Sequence, residues 1–137
     1  MHARKYMLEY AGTAPAMSNA PTNWRAMRYA DILLFAAEAA NELDDATKAK
    51  EWLNLVRKRV KMPDVTTSNK DSLRTAIFHE RRVELGLEGH RFFDLVRQDR
   101  AKDVLKANGF VKGKHDYFPI PQRELDACSK LQQNSYY

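Results

Sequence analysis

Apolar residues recur at helical spacing along most of this chain, and the character of the spacing changes from one stretch to the next. Between Trp24 and Leu43 they occupy nearly every side of a helix, with Asp31, Glu38 and Glu42 marking one polar stripe. Thr22 or Asn23 is placed to cap its start. Such a helix must be covered on more than one side. From Ala46 to Val60 the pattern narrows to one buried stripe, Ala46, Ala49, Leu53, Val56 and Val60, so this second helix turns its back to water. A short turn at Asp44-Asp45 separates the two. Met62-Pro63 stops the second helix, because proline disfavours helical geometry at the residue before it. After a polar loop from Val65 to Lys70, Ser68 or Asp71 can cap a third helix over 72–87, with Leu73, Ala76, Ile77 and Val83 as apolar contacts. A fourth over 91–105 ends before Gly109.

Four helices in this order make two hairpins of about 34 residues, the size of a tetratricopeptide unit. Ala37 and Ala49 supply the small pair that lets the first two helices approach. The predicted fold class is therefore all-α: tetratricopeptide-like helical hairpins, a fragment of a right-handed superhelix, with an irregular C-terminal tail. Residues 1–22 lack periodicity and read as a linker or truncated element, leaving 23–137 as the helical domain. In the tail, Asn108-Gly109 and Gly113-Lys114-His115 form turns, and Tyr117-Phe118-Pro119-Ile120-Pro121 is extended because X-Pro steps exclude helix. Pro121 can open a short helical turn through Leu125.

Composition narrows the classes. A chain of 137 residues with 44% hydrophobic and 30% charged residues describes an ordinary helical domain. No apolar run approaches the roughly 20 residues needed to cross a bilayer. Met1-His2-Ala3-Arg4-Lys5 does not lead into an apolar core, so it is not a signal peptide, and no lipid-acceptor cysteine accompanies it. One cysteine, Cys128, excludes an internal disulfide and a multi-cysteine zinc site. The net charge of +5 raises the question of nucleic acid. The cluster Arg57-Lys58-Arg59-Val60-Lys61, however, closes a helix, where cations complement the macrodipole. A capping or solvated role is expected for it, and no nucleic-acid partner.

The densest chemistry lies between His79 and Arg97, where four arginines and four carboxylates surround Gly86 and Gly89 and the adjacent Phe92 and Phe93. Glu80, Glu84 and Glu88 form an i, i+4 row, Arg81 precedes Glu84 by one turn, and Asp94 lies between Arg91 and Arg97; such residues are neighbours on a helix surface. The row begins beside Ile77, on the face that carries Leu73. Charge on an apolar face is tolerable only when paired. The segment is expected to be a corner stapled by Arg–carboxylate pairs and an aromatic plug, with Glu80, Arg81 or Arg82, and Glu84 buried, and Asp94 bonded to an arginine or to backbone amides. No nucleophile, metal set or separated carboxylate pair is evident. His79-Glu80 opens like the zinc-protease pattern, but Val83 stands where the second histidine is obligatory. No catalytic residue, metal site or cofactor is predicted.

These same residues carry a resemblance. Glu80-Arg81-Arg82-x-Glu84-Leu85 followed by Glu88-Gly89-His90-Arg91-Phe92-Phe93-Asp94-Leu95 closely resembles the C-terminal signature of the SusD/RagB family. Arg28-Tyr29-Ala30-Asp31-Ile32-Leu33-Leu34 with Ala37-Glu38-Ala39, Leu53-Asn54-x-Val56-Arg57-Lys58-Arg59, Phe118-Pro119-Ile120-Pro121 with Glu124-Leu125, and Leu131-Gln132-Gln133-Asn134 resemble further family segments in the family's order. Ala127-Cys128 and Asn134-Ser135-Tyr136-Tyr137 depart from its usual ending. The resemblance implies degenerate tetratricopeptide repeats. It also implies a nutrient- or oligosaccharide-binding outer-membrane lipoprotein, exposed at the cell surface, that partners a TonB-dependent transporter and is not an enzyme.

The family's members are several times longer, so the chain is expected to be a C-terminal fragment or truncated reading frame. Its structural signature is Glu80, Arg81, Arg82, Glu84, Glu88, Gly89, Arg91 and Asp94. No residue matches a family ligand-binding motif. Among the aromatics that could stack on a sugar, Trp52, Tyr117, Tyr136 and Tyr137 included, Trp24 is the weak candidate; Trp52 belongs to core or interface packing. The alternative is a free-standing tetratricopeptide-like adaptor. Incomplete cover of the first helix predicts self-association of the isolated chain.

Overall fold

A computed structural model describes residues 26–137, which are helical and contain no strand. They fall into two compact units that meet in sequence between Glu88 and Gly89. The linker expected over residues 1–22, the caps Thr22 and Asn23, and Trp24 lie outside the described residues.

In the first unit, α1 spans Tyr29–Glu42, α2 Ala46–Arg59 and α3 Lys70–Glu84. Met27 and Arg28 are not helical, so α1 starts five residues later than the apolar pattern indicates. Arg28 is extended and makes no side-chain N-cap bond to α1, because a guanidinium has donors only and cannot accept a first-turn amide. A tight turn through Asp44, in the left-handed region at φ 62°, leads into α2. There the Asp45 side chain accepts the Lys48 amide and satisfies one of the first-turn donors. α2 ends one residue short of the expected Val60.

The loop after Pro63 is tied to the helix it leaves. Asn54 donates to the Val65 carbonyl and accepts from the Val65 amide, while Arg57 Nε donates to the Pro63 carbonyl. Neither expected residue caps α3. Asn69 does, accepting the Ser72 amide at 3.0 Å, and α3 consequently begins two residues early. It also stops at Glu84, three residues before the expected Leu87, whose φ of 68° is incompatible with a continuing helix.

The core follows the stripes. Leu33, Leu34, Ala37 and Ala40 of α1, Ala49, Leu53 and Val56 of α2, and Leu73 and Ile77 of α3 form one buried cluster, with Trp52, Val65 and Ala76 packed against it. α1 packs most extensively on α2 and then on α3. Ala37 and Ala49 are fully buried. Fully burying a Leu or Ile side chain contributes about 1.5–3 kcal/mol, and four of the cluster's aliphatic side chains, Leu34, Leu53, Leu73 and Ile77, are completely covered. Val83, expected as an apolar contact, is instead 62% exposed.

In the second unit, α4 spans His90–Arg97, α5 Ala101–Val104 and α6 Gln122–Ala127, with a 3₁₀ turn at Lys106–Asn108. The expected helix over 91–105 is therefore two pieces. The break lies at Asp99, which adopts φ 53°. The Arg100 amide bonds back to the Leu95 carbonyl and closes α4 as a Schellman-like cap. Asp tolerates the left-handed region better than most non-glycine residues. A stop with neither Gly nor Pro is invisible to a search for those two residues.

Of the two adjacent phenylalanines, Phe92 is the plug, with ring centroids 5.7 Å from Phe118 and 6.5 Å from Phe110. Phe93 touches it edge-on but is 61% exposed. α6 opens after Pro121, as the sequence indicates. The tail is closed by Gln133, which bonds both the amide and the carbonyl of Ile120, and by Asn134, which donates to the Phe118 carbonyl.

Candidate functional site

The first unit contains a clasp of four arginines and four carboxylates drawn from all three of its helices and the segments that flank them. At its centre is Glu84, at the C-terminal end of α3. Its carboxylate accepts from Arg28 Nη1 at 2.6 Å and from Arg59 Nη2 at 2.7 and 2.8 Å. Arg28 continues to Glu88, donating from Nε at 2.7 Å and Nη2 at 2.9 Å in a bidentate fork, and it also caps the Glu84 carbonyl. Paired hydrogen bonds of this kind fix orientation as well as charge. The Glu88 hydrogen bond, followed by that of Glu84, raises the Arg28 pKa against the opposing cost of burial.

One turn earlier, Arg57 Nη1 donates to Glu80 at 2.5 Å. The deepest pair is Arg81 with Asp31, 2.9 Å apart, the side chains 1% and 2% exposed. The Arg81 guanidinium also lies 4.0 Å from the centre of the Phe35 ring, where a cation is attracted by the ring face.

Glu80, Arg81 and Glu84 are thus buried and paired, but their partners differ from those that helix spacing suggests. Arg81 reaches across to α1 instead of only stapling its own helix. Asp31, placed by the sequence on the one polar stripe of the first helix, is buried. Arg57 and Arg59, expected to cap a helix end or face water, reach carboxylates of α3. Among the remaining signature residues, Arg82 is exposed. Gly89 holds φ 84° at the start of α4. Asp94 is buried and accepts from Arg97, three residues on, at 2.9 Å; Arg91 is half-buried.

A spacing argument on one helix could not find Arg28, Asp31, Arg57 and Arg59. A signal for Asp31 nevertheless exists: it lies one turn before Leu34 on the buried face, as Asn41 lies one turn beyond Ala37. Asn41, also buried, donates to the Lys70 carbonyl at the start of α3. The clasp balances four positive against four negative groups, so it offers little net charge to an anionic or cationic ligand. Its chemistry is that of a lock between helices.

A second feature is open. Ala36, Ala39 and Ala40 of α1, Lys48 and Trp52 of α2, and Leu43 and Asp45 of the turn between them line a hollow of about 500 Å³. Among the described residues no group of three or more His, Cys, Asp or Glu side chains could hold a metal ion. No described helix is long and apolar enough to cross a membrane.

An α-helical hairpin and third helix locked by a charge-balanced arginine–carboxylate clasp define a tetratricopeptide-like class of domain. Over residues 1–137 the chain matches the sequence model of the SusD family, and it belongs to that family. It is 40% identical over 126 residues to SusD-like protein P38 of Formosa agariphila, covering 85% of this chain and 25% of the relative. To SusD-like protein P2 of the same organism it is 34% identical over 150 residues, covering 98% and 30%.

Two solved structures are similar. A SusD-like protein from Bacteroides fragilis matches with a TM-score of 0.72 at 29% identity, over 84% of this chain and 26% of that one. A laminarin-binding SusD-like protein matches with a TM-score of 0.71 at 40% identity, over 81% and 22%. The chain spans about a quarter of the length of these relatives.

Proposed function

We propose that this chain is the C-terminal part of a cell-surface lipoprotein that binds a glycan and presents it to a TonB-dependent outer-membrane transporter. The observation that supports the reading most directly is the 40% identity, at a TM-score of 0.71, to a laminarin-binding SusD-like protein. Within the whole molecule, the described helices act as scaffold. The clasp holds α1, α2 and α3 in one arrangement, so loops contributed by the rest of the polypeptide stand on a fixed base. Binding rather than catalysis is the role of this protein, and Trp24 is the one aromatic of the chain proposed to approach sugar. The complete polypeptide, titrated calorimetrically with laminarin and a panel of other β- and α-glucans, is expected to bind at least one of them, whereas the 137-residue chain alone binds none. Co-purification of the complete polypeptide with a TonB-dependent transporter tests the partnership. A complete polypeptide that binds no glycan and retains no transporter would overturn the proposal.

A further inference from the structure

Five asparagines lie among the described residues, and four of them have engaged side-chain amides. Asn41 is buried and donates to the Lys70 carbonyl. Asn54 holds both the amide and the carbonyl of Val65, Asn69 caps α3 through the Ser72 amide, and Asn134 donates to the Phe118 carbonyl. Asn108 differs from all four. It is exposed at the end of the 3₁₀ turn, its side-chain amide has no partner among the described residues, and it alone of the five precedes a glycine.

The turn that carries it is weakly held. Lys106, Ala107, Asn108 and Gly109 are all exposed. The amides of Asn108 and Phe110 donate to the Leu105 carbonyl at 2.9 and 3.3 Å, and the Gly109 amide donates to the Lys106 carbonyl at 3.0 Å. Short 3₁₀ segments have poor hydrogen-bond geometry, and solvent-exposed backbone bonds open at little cost. Gly109, at φ 80°, has no side chain to hinder approach to its own nitrogen, and the space where a Cβ would stand holds no atom within 4 Å.

We propose that Asn108 is a site of spontaneous deamidation, at which the Gly109 nitrogen displaces the side-chain amide and the chain gains a carboxylate. When the turn opens, the Gly109 amide loses its proton to solvent base, and its nitrogen bonds to the side-chain carbonyl carbon of Asn108. The bond from that carbon to Nδ2 breaks, and Nδ2 leaves as ammonia, taking a proton from solvent. A succinimide ring remains. Water then opens it at either carbonyl. Attack at the side-chain carbon breaks the new bond and leaves an aspartate. Attack at the main-chain carbon breaks the original peptide bond and leaves an isoaspartate, with the main chain routed through the side chain. The net reaction consumes one water and releases one ammonia, and nothing is oxidised or reduced.

The consequence falls on Phe110. An isoaspartate adds a main-chain atom inside the loop closed by the bond from Phe110 to Leu105, so that cap cannot close as before. The new carboxylate also stands at the carbonyl end of a helical turn, where negative charge is unfavourable. Phe110 packs against Phe92, the plug of the second unit, and against His115 with ring centroids 5.7 Å apart. Deamidation therefore loosens the plug.

Mass spectrometry of the 137-residue chain tests the site. The chain is aged at neutral pH and physiological temperature, then quenched and digested in acid, which halts the reaction. Conversion at Asn108 is expected to run at least tenfold faster than at Asn41, Asn54, Asn69 or Asn134. In urea, sequence alone sets the rates, so folding is expected to slow those four by a larger factor than it slows Asn108. An isoaspartate methyltransferase should label the aged chain but not aged Asn108→Gln, whose longer side chain closes a ring slowly. Conversion at Asn108 no faster than at the other four would overturn the proposal, as would a larger slowing of Asn108 on folding. The aged chain, separated by charge, is expected to lose the proton contacts between the Phe110 and Phe92 rings. Rings still in contact would overturn the link to the plug.

Discussion

Glu84 serves two guanidinium groups from different segments, Arg28 and Arg59, while remaining only 7% exposed. Removing a partner from a buried ion pair strands the remaining charge at a cost of about 3–5 kcal/mol. Because Arg28 keeps its fork to Glu88 and Arg59 is 60% exposed, Glu84→Ala is expected to cost less than that upper figure, measured as a shifted urea midpoint at unchanged m-value. Glu42 is the control. It meets Arg74 at 2.6 and 2.8 Å, but its side chain is 46% exposed, and exposed pairs contribute little. Equal destabilisation by Glu84→Ala and Glu42→Ala would show that the clasp is merely solvated.

The hydrogen bond from Arg74 holds the Glu42 carboxyl below its ordinary value. Its small contribution is present above the unfolded pKa, near 4.5, and is lost as the pH falls through the lower folded value. The stability difference between wild type and Glu42→Ala should accordingly shrink toward zero on acidification below about pH 4.5. A difference that grew instead would reverse the sign of the linkage. Arg81 and Asp31 permit a third comparison. Asp31→Leu alone removes the buried carboxylate that Arg81 meets at 2.9 Å, whereas Asp31→Leu with Arg81→Met replaces a buried pair by apolar volume, a change that is often neutral. The double variant is expected to recover most of what the single one loses, as read from thermal unfolding.

At the level of elements, helix existence and core stripes were legible because they repeat: Ala49, Leu53 and Val56, or Leu73 and Ile77, need several positions to agree. Helix ends rest on single residues, and there the competition is close. Ser68, Asn69 and Asp71 are all capable N-caps; Asn69 takes the role while Ser68 accepts from Lys50. Asn69→Ala should destabilise by about 1 kcal/mol, whereas Ser68→Ala should leave the urea midpoint nearly unchanged; the opposite order would reassign the cap. The clasp was legible only in half. Buried charge was visible in the Glu80, Glu84 and Glu88 row because it continued an apolar face. Its partners were not, since Arg28 and Arg57 lie 56 and 23 residues from the carboxylates they meet. Spacing on one helix carries no information about such crossings.

For the whole chain, the open second stripe of α1 sets the behaviour in solution. Ile32, Phe35, Leu43 and the Trp52 hollow form apolar surface on one side of the hairpin, and exposed patches above a few hundred Å² act as interaction surfaces or drive aggregation. The isolated chain is expected to self-associate, with a weight-average mass by light scattering that rises with concentration. Ala39 is exposed and lines the hollow, so Ala39→Glu places a carboxylate in it without entering the core. That variant should keep the helical circular dichroism of the parent and return the mass toward that of a 15.9 kDa monomer. Loss of helicity in Ala39→Glu would show that the position belongs to the core. A parent chain monodisperse at 15.9 kDa across the concentration range would show that the stripe drives no association, favouring an independent adaptor over a segment shaped to be covered by the rest of a longer polypeptide.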